Sequence, residues 1–394
     1  MKKSLLAIAA MTAFAGAAQA QSSVTVYGIL DVGYINQKSD GTGTAANTKA
    51  NNSIIGTSAE TTSRLGFKGT EDLGGGTSAF FTVETGLQPT SATASAWNNR
   101  QSFAGLKKNN MGEVAIGTQY TPVFNQVAAT DVGQTNNMVG NVIYPGQSAA
   151  SNGNPGNGAF EAASGAGNAS NGMTVRTTNT LTAKSAKFAG FGVGAMYTQN
   201  GSASDPANAT ETKNNYTGWG AQVDYTWNKL YIGVAYQALK SSNTSPTTTL
   251  TSPAPAAWTA AGGGVNTQDN QTYVGATYDF GILKAYAQYI NRKDTSTLNT
   301  TYYAQRRAQQ IGVRSYITPT VEGWASIGNG KLTAFGQSQP SANFIGWQAG
   351  VNYYLSKRTN LYGIYGLNNL SSSSATAGVP VNSSAMALGV RHTF

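Results

Sequence analysis

The segment Ser384-Ala-Met-Ala-Leu-Gly-Val-Arg-His-Thr-Phe394 alternates between two faces along its whole length. Met386, Leu388, Val390, His392 and Phe394 fall on one side; Ala385, Ala387, Gly389, Arg391 and Thr393 fall on the other. A period of two marks a strand, here with large apolar groups on one face and small or polar groups on the other. A sheet in water alternates as well, but it seldom ends on an aromatic. A closed membrane barrel has a use for Phe394 there, because aromatic side chains form the belt where its wall meets water.

The same period recurs along the chain. It predicts sixteen strands: 23–36, 60–69, 76–87, 98–107, 112–119, 174–184, 190–199, 215–227, 230–240, 270–279, 282–292, 306–317, 320–331, 343–355, 359–369 and 384–394. In Trp347–Leu355 the odd positions Trp347, Val351, Tyr353 and Leu355 suit lipid, while Gln348, Gly350, Asn352 and Tyr354 suit the interior. The connections alternate in length. Short ones such as 228–229, 280–281 and 318–319 interleave with long ones such as 37–59, 120–173 and 241–269. Short turns on the periplasmic side and long loops outside are the habit of a bacterial outer-membrane barrel, which also requires an even strand number. The expected fold class is therefore all-β, a 16-stranded antiparallel transmembrane barrel.

The N-terminus agrees. Lys2 and Lys3 precede an apolar stretch from Leu5 to about Ala17, and Ala18-Gln19-Ala20 offers small residues for cleavage. This reads as a secretory signal peptide over residues 1–20, with the barrel domain over 21–394, because the apolar core is shorter than the roughly 18 residues a spanning helix needs. The chain has no Cys, so export brings no disulfide framework. Only 10% of residues are charged, against about 25% in an ordinary soluble domain. Gly numbers 47 and Tyr 20, a composition that suits a crowded interior and interfacial girdles. Of 25 basic residues two lie in the leader, which leaves +7 on the mature chain against 16 acids. They are dispersed along strands and turns rather than gathered on one face, so the charge suggests a positive lumen and not a nucleic-acid partner.

Six segments resemble the general porins of β-proteobacteria. They are Ser23-Val-Thr-Val-Tyr-Gly-Ile-Leu-Asp31, the run from Ser63-Arg-Leu-Gly-Phe-Lys-Gly to Gly76, Arg100-Gln-Ser-Phe-Ala-Gly-Leu106, Gln119-Tyr-Thr-Pro122, Tyr354-Leu-Ser-Lys-Arg-Thr359 and Gly389-Val-Arg-His-Thr-Phe394. The resemblance covers nearly the whole mature chain. It implies a homotrimeric, water-filled outer-membrane channel for small hydrophilic or anionic solutes, seated in outer-membrane lipid, with a third loop that folds inward to narrow the pore. By that resemblance Arg64, Arg100 and Arg176 match a basic ladder at the constriction, Glu84 is a wall acid beside them, and Asp131 and Glu161 supply the opposing acidic side. Phe394 is the expected assembly signal. Alternation places Arg64 with Gly66 and Lys68, and Arg100 with Ser102 opposite Phe103. Guanidiniums stay charged whatever surrounds them, so a ring of them would enrich anions. The competing reading is that Arg64 and Arg100 simply pair with Glu84 and hold the wall in shape. One departure stands out: Thr118 occupies a place where many family members carry Arg, and Ala115 is neutral too, which implies a wider or less positive constriction.

Other chemistry is excluded. His392 is the only histidine and Cys is absent, so neither a zinc site nor a Ser–His triad can be built. Asp279-Phe-Gly281 spells a kinase triplet but sits at a strand–turn junction without a catalytic loop. Gly74–Gly76 lacks the Lys-Ser/Thr of a phosphate loop. No cofactor or metal is expected. The rivals to a general diffusion pore are a substrate-specific channel, and an exported β-sheet adhesin without a pore.

Overall fold

The structure is a computed structural model that describes residues 23–41, 49–91, 99–145, 169–170, 172–204, 212–243, 266–297, 300–301, 303–335, 341–372 and 381–394. The first half of the chain gives strands β1 (Ser23–Gly41), β2 (Lys49–Thr57), β3 (Arg64–Gly74), β4 (Thr77–Gly86), β5 (Asn99–Lys108) and β6 (Gly112–Tyr120). Helix α1 (Pro122–Thr130) and a two-residue hairpin, β7 (Ala169–Ser170) with β8 (Met173–Thr174), follow before β9 (Arg176–Ser185). Then come β10 (Phe191–Ser204), β11 (Thr212–Trp227), β12 (Leu230–Asn243), β13 (Thr267–Asp279) and β14 (Lys284–Ser296). The last five are β15 (Tyr303–Thr318), β16 (Val321–Phe335), β17 (Ser341–Tyr354), β18 (Thr359–Ser372) and β19 (Val381–Thr393).

Each strand pairs antiparallel with its neighbour, and β1 closes on β19 with Ile29 opposite Thr393 and Gly41 opposite Val381. On its other side β1 meets two segments in line: Ser23–Ile29 pairs with β3 and Val32–Asp40 with β2. β2 and β3 are thus one stave interrupted at 58–63, and the wall has sixteen staves with no free edge, the condition for placing strands in lipid. The predicted second strand, 60–69, covered only the lower part of that stave. The interruption is tied to the wall. Asp31 accepts from the Thr61 N–H (2.6 Å) and the Tyr362 hydroxyl (2.6 Å), and Glu60 accepts from Asn360 Nδ2 (3.0 Å).

All sixteen predicted strands are present. They run longer than predicted at the ends that carry the long connections, as in β10, β12 and β18. Burial is inverted relative to a soluble protein. Ile116, Val193, Trp219, Ile311, Val351 and Leu388 lie on the outer face with 46–65% of their surface exposed, whereas Gln237, Gln271, Arg292 and Gln348 are fully buried inside. Apolar side chains of this number pointing outward require lipid around them. Phe394 closes the seam: its N–H donates to Gly28 O and its carbonyl accepts from Gly28 N (both 3.1 Å), with the ring lying where a side chain on Gly28 would stand.

The long connection after β6 begins with a helix. Thr121 caps α1, its Oγ accepting from the Phe124 N–H (3.3 Å), and Pro122 fills the first turn, where no N–H is needed. α1 and residues 131–145 fold into the barrel, and the apolar core lies between this loop and the wall. One cluster packs Val123, Phe124, Val127, Val142 and Ile143 against Tyr273, Ile290 and Phe344. A second packs Val132, Met138 and Val139 against Trp324, Tyr362 and Ile364.

Candidate functional site: the constriction

The lumen has two unlike walls. On β3 to β6 and β9 the inner face carries charge. Glu84 on β4, 3% exposed, accepts from Arg100 Nε at 2.6 Å and from the Tyr27 hydroxyl at 3.1 Å, and Arg64 Nη1 lies 3.8 Å away. Arg100 Nη2 donates to the Tyr120 hydroxyl (3.1 Å), and the Arg176 guanidinium lies over the Tyr120 ring at 5.6 Å. Arg176 is 4% exposed, and its Nη1 has no hydrogen-bond partner among the described residues. Two guanidiniums therefore flank one carboxylate, and a third lies beside them over the Tyr120 ring. Next to them a cavity of about 400 Å³ opens, lined by Arg100, Arg176, Tyr144, Asn137 and Asn52.

Arg100 reaches this group by a route that alternation did not reveal. Gln101 stands opposite Glu84 and Asn99 opposite Thr85, so Arg100 is the extra residue of a β-bulge. Bulges re-aim a side chain in this way. Beyond the bulge the parity reverses from that expected. Gln101 and Phe103 face the lumen, Phe103 edge-on to Phe80 at 6.2 Å, while Ala104 and Leu106 face outward. Ser102 therefore does not share the face of Arg100. On β3 the expected grouping holds: Lys68, opposite Thr25 and Thr82, lies 5.5 Å from the Tyr27 ring. Ala115 lines the lumen, and Thr118 stands opposite Ser102.

On the opposite wall, β11 to β18, neutral amides hold the inward loop. Gln348 exchanges two hydrogen bonds with Asn136 (3.0 and 3.1 Å) and donates to the carbonyls of Met138 and Val139 (both 2.8 Å). Gln310 accepts from the Val142 N–H (3.0 Å), Gln271 from the Thr174 N–H (2.9 Å) and Gln237 from the Val123 N–H (3.2 Å). Two arginines assist. Arg306 Nη2 donates to Val142 O (2.6 Å), and Arg314 donates to Val132 O (2.6 Å) while pairing with Glu322 at 2.8 Å. Where the loop passes, the wall is glycine. A side chain on Gly275, Gly312, Gly328, Gly346 or Gly366 would collide with Thr130, Val132, Val142, Gly140 and Val139 respectively. These amides and glycines escaped the sequence reading. A cue existed in part, since Gln recurs on the inward parity of several strands.

Of the two acids expected of the loop, Asp131 does not face the arginines. Asp131, at the end of α1, is buried: Oδ2 accepts from the Thr135 N–H (2.6 Å), and Oδ1 from Asn141 Nδ2 (2.8 Å) and Gln310 Nε2 (3.4 Å). It is spent on the fold of the loop and its attachment to β15, and burial pushes its carboxyl up from the ordinary value against the pull of those donors. Glu161 lies outside the described residues. The loop meets the β2–β3 interruption instead, where the Asn137 N–H donates to Ala59 O (3.0 Å) and its side chain to Ser58 O (2.8 Å).

Comparison with known proteins agrees with this architecture. The family model described as Gram-negative porin matches residues 7–373. Outer membrane porin protein 32 of Delftia acidovorans is 29% identical over 92% of this chain and 88% of its own. Among solved structures, an anion-selective porin from Comamonas acidovorans superposes with a TM-score of 0.68 at 23% identity, covering 95% of this chain and all of that one. The trimer form of OmpT from Vibrio cholerae gives 0.58 at 14% identity, over 95% and 99% of the two chains. With most of its length matched, a closed barrel and a loop narrowing its lumen, this chain belongs to the Gram-negative porin family and is an outer-membrane channel, not an enzyme.

Proposed function

We propose that this channel is a general diffusion pore for small hydrophilic solutes that prefers anions, and that it works as a homotrimer. The observation that carries the preference is the cluster of Arg64, Arg100 and Arg176 beside the single carboxylate of Glu84. Across from it, the only acid among the described residues of the loop is Asp131, which is turned into the loop's own hydrogen bonds. Positive charge on one side of a narrow lumen, unanswered on the other, raises the local concentration of anions. Ion pairing does not cancel it, because the three cations have only this one acid beside them. The trimer form of the Vibrio cholerae protein, which shares this fold, supports the assembly state. The main-chain pairing of Phe394 with Gly28 at the seam supports its reading as an assembly signal.

The test is the reversal potential of the refolded mature protein in a planar bilayer under a salt gradient. An anion-selective potential that falls in Arg64→Ala and again in Arg64→Ala/Arg100→Ala is the expected result. Cation preference in the unaltered channel would overturn the arginine reading. Saturable block by one sugar or organic acid would instead make the 400 Å³ cavity beside Arg100 a specific binding site.

A further inference from the structure

The three strands that carry the arginines also carry lysines nearer the short-turn rim: Lys68 on β3, Lys107 on β5 and Lys184 on β9. At about 3.3 Å per residue, Lys68 lies roughly 13 Å below Arg64 and Lys184 roughly 26 Å below Arg176 along their strands. All three line the lumen. Lys68 and Lys107 border one cavity of about 420 Å³, together with Thr25 and Thr82. Lys107 stands opposite Glu113, and Glu113 opposite Lys184, whose Nζ is 3.8 Å from Oε1. Lys107, Lys184 and Glu113 also border a cavity of about 540 Å³ at the rim. A third cavity, of about 200 Å³, runs from Lys184 and Glu113 up to Ala115, Gln119 and Tyr120. Tyr120 is the residue that Arg100 hydrogen-bonds and over which Arg176 lies. The spaces are continuous in their lining, and their charge runs one way: these three lysines, with Lys108 at the rim, against the single lining acid Glu113.

We infer that Lys68, Lys107 and Lys184 form a second cationic tier, which passes small anions between the arginine cluster and the periplasmic mouth. This rests on the anion preference proposed above and extends it to residues that the preference does not require. The two tiers stand apart by more than the Debye length of about 10 Å at 0.1 M salt, so at that salt they act on an ion in succession. In dilute salt their fields merge, and the lysines then govern entry from their own side. Glu113 lowers the gain of the tier and holds Lys184 near the wall instead of across the path.

The experiment compares the unaltered channel with the triple variant Lys68→Gln/Lys107→Gln/Lys184→Gln in planar bilayers bathed in potassium chloride. Both gradient directions are applied to the same channel, so the direction of insertion need not be assumed. A unit charge some 10 Å from an ion in a water-like dielectric is worth about twofold in local concentration. The expected result is a severalfold fall in the anion-to-cation permeability ratio when the dilute bath faces the lysine mouth, with little change when the gradient is reversed. Glu113→Gln is expected to move the ratio the opposite way in the same orientation. An anion-selective unaltered channel whose potential the triple variant leaves alone in both directions overturns the lysine tier and spares the arginine reading. An equal fall in both directions also overturns it as a feature of one mouth. An unaltered channel without anion preference overturns both.

Discussion

The two walls of the lumen are built from the same strand geometry and opposite chemistry. On β3 to β6 and β9 the inner residues are arginines, lysines and their few acids, facing cavities. On β11 to β18 glutamines and glycines are pressed against the inward loop, and the charges among them are buried, as in the Arg292–Asp269 and Arg314–Glu322 pairs. The difference follows from what each wall does. A wall that must stay hydrated can carry unpaired charge cheaply, because water solvates it. A wall that must hold a loop in a dry seam cannot, since a buried charge without a partner costs several kcal/mol while an amide meets both N–H and C=O at a small net cost. Most of the loop wall's charge is paired or fastened to a carbonyl, as with Arg292 on Asp269 and Arg314 between Glu322 and Val132. Changes on the loop wall should therefore alter pore size and stability, and changes on the arginine wall should alter selectivity.

The sharpest break comes from Arg314→Met. It strands the Glu322 carboxylate, which keeps only Tyr354 (2.9 Å) and Asn352 (3.2 Å), and it releases the Val132 carbonyl. Removing one member of a buried pair costs about 3–5 kcal/mol. The expected outcome is a lower thermal unfolding midpoint and larger, noisier single-channel conductance. Unchanged conductance would show that the loop does not depend on this wall.

Gln348→Leu removes four hydrogen bonds without adding charge. Each carbonyl left unsatisfied in the seam costs about 1–3 kcal/mol, less wherever lumen water reaches it. Conductance should rise with the anion-to-cation ratio nearly constant. A change in that ratio as large as the one from Arg64→Ala would dissolve the division between the walls.

Much of this was legible in advance, and unevenly so. All sixteen staves showed in the period of two because lipid outside and water inside make every strand two-faced. The strand ends beside the long loops were lost for the same reason. At 200–204 the sequence Asn-Gly-Ser-Ala-Ser has no large apolar residue on either parity, so the period vanishes while the pairing continues. Helix α1 was announced by Thr121-Pro122 ahead of Val123, Phe124 and Val127, a cap and first turn hidden among loop residues. The bulge at Arg100 carried no mark, since inserting one residue reverses parity without changing composition. The family resemblance puts Asp131 across the pore from the arginines; its three donors, two of them distant in sequence or in another strand, decide otherwise. The glutamines looked like ordinary lumen residues because a side chain that meets water and one that meets a carbonyl are spelled alike.

The smallest effect tests the arginine wall by addition. Ala115 lines the cavity of about 200 Å³ below Tyr120, together with Thr82, Gln101 and Phe103. An arginine there has room to extend into space that the neutral residue leaves open, and Glu113 lies two residues along the same face. If this wall is a hydrated surface for charge, Ala115→Arg folds normally, raises the anion-to-cation permeability ratio by about twofold and lowers conductance slightly by filling the cavity. The Gln119 Nε2 bond to the Ala115 carbonyl (3.1 Å) is main-chain on the acceptor side and survives the substitution. On the loop wall an added charge at Gln348 has no such space, and there Gln348→Arg should cost folding rather than gain selectivity. Should Ala115→Arg instead destabilise the barrel as Gln348→Arg does, the contrast between the walls would lie in what each happens to hold, not in what each can accept.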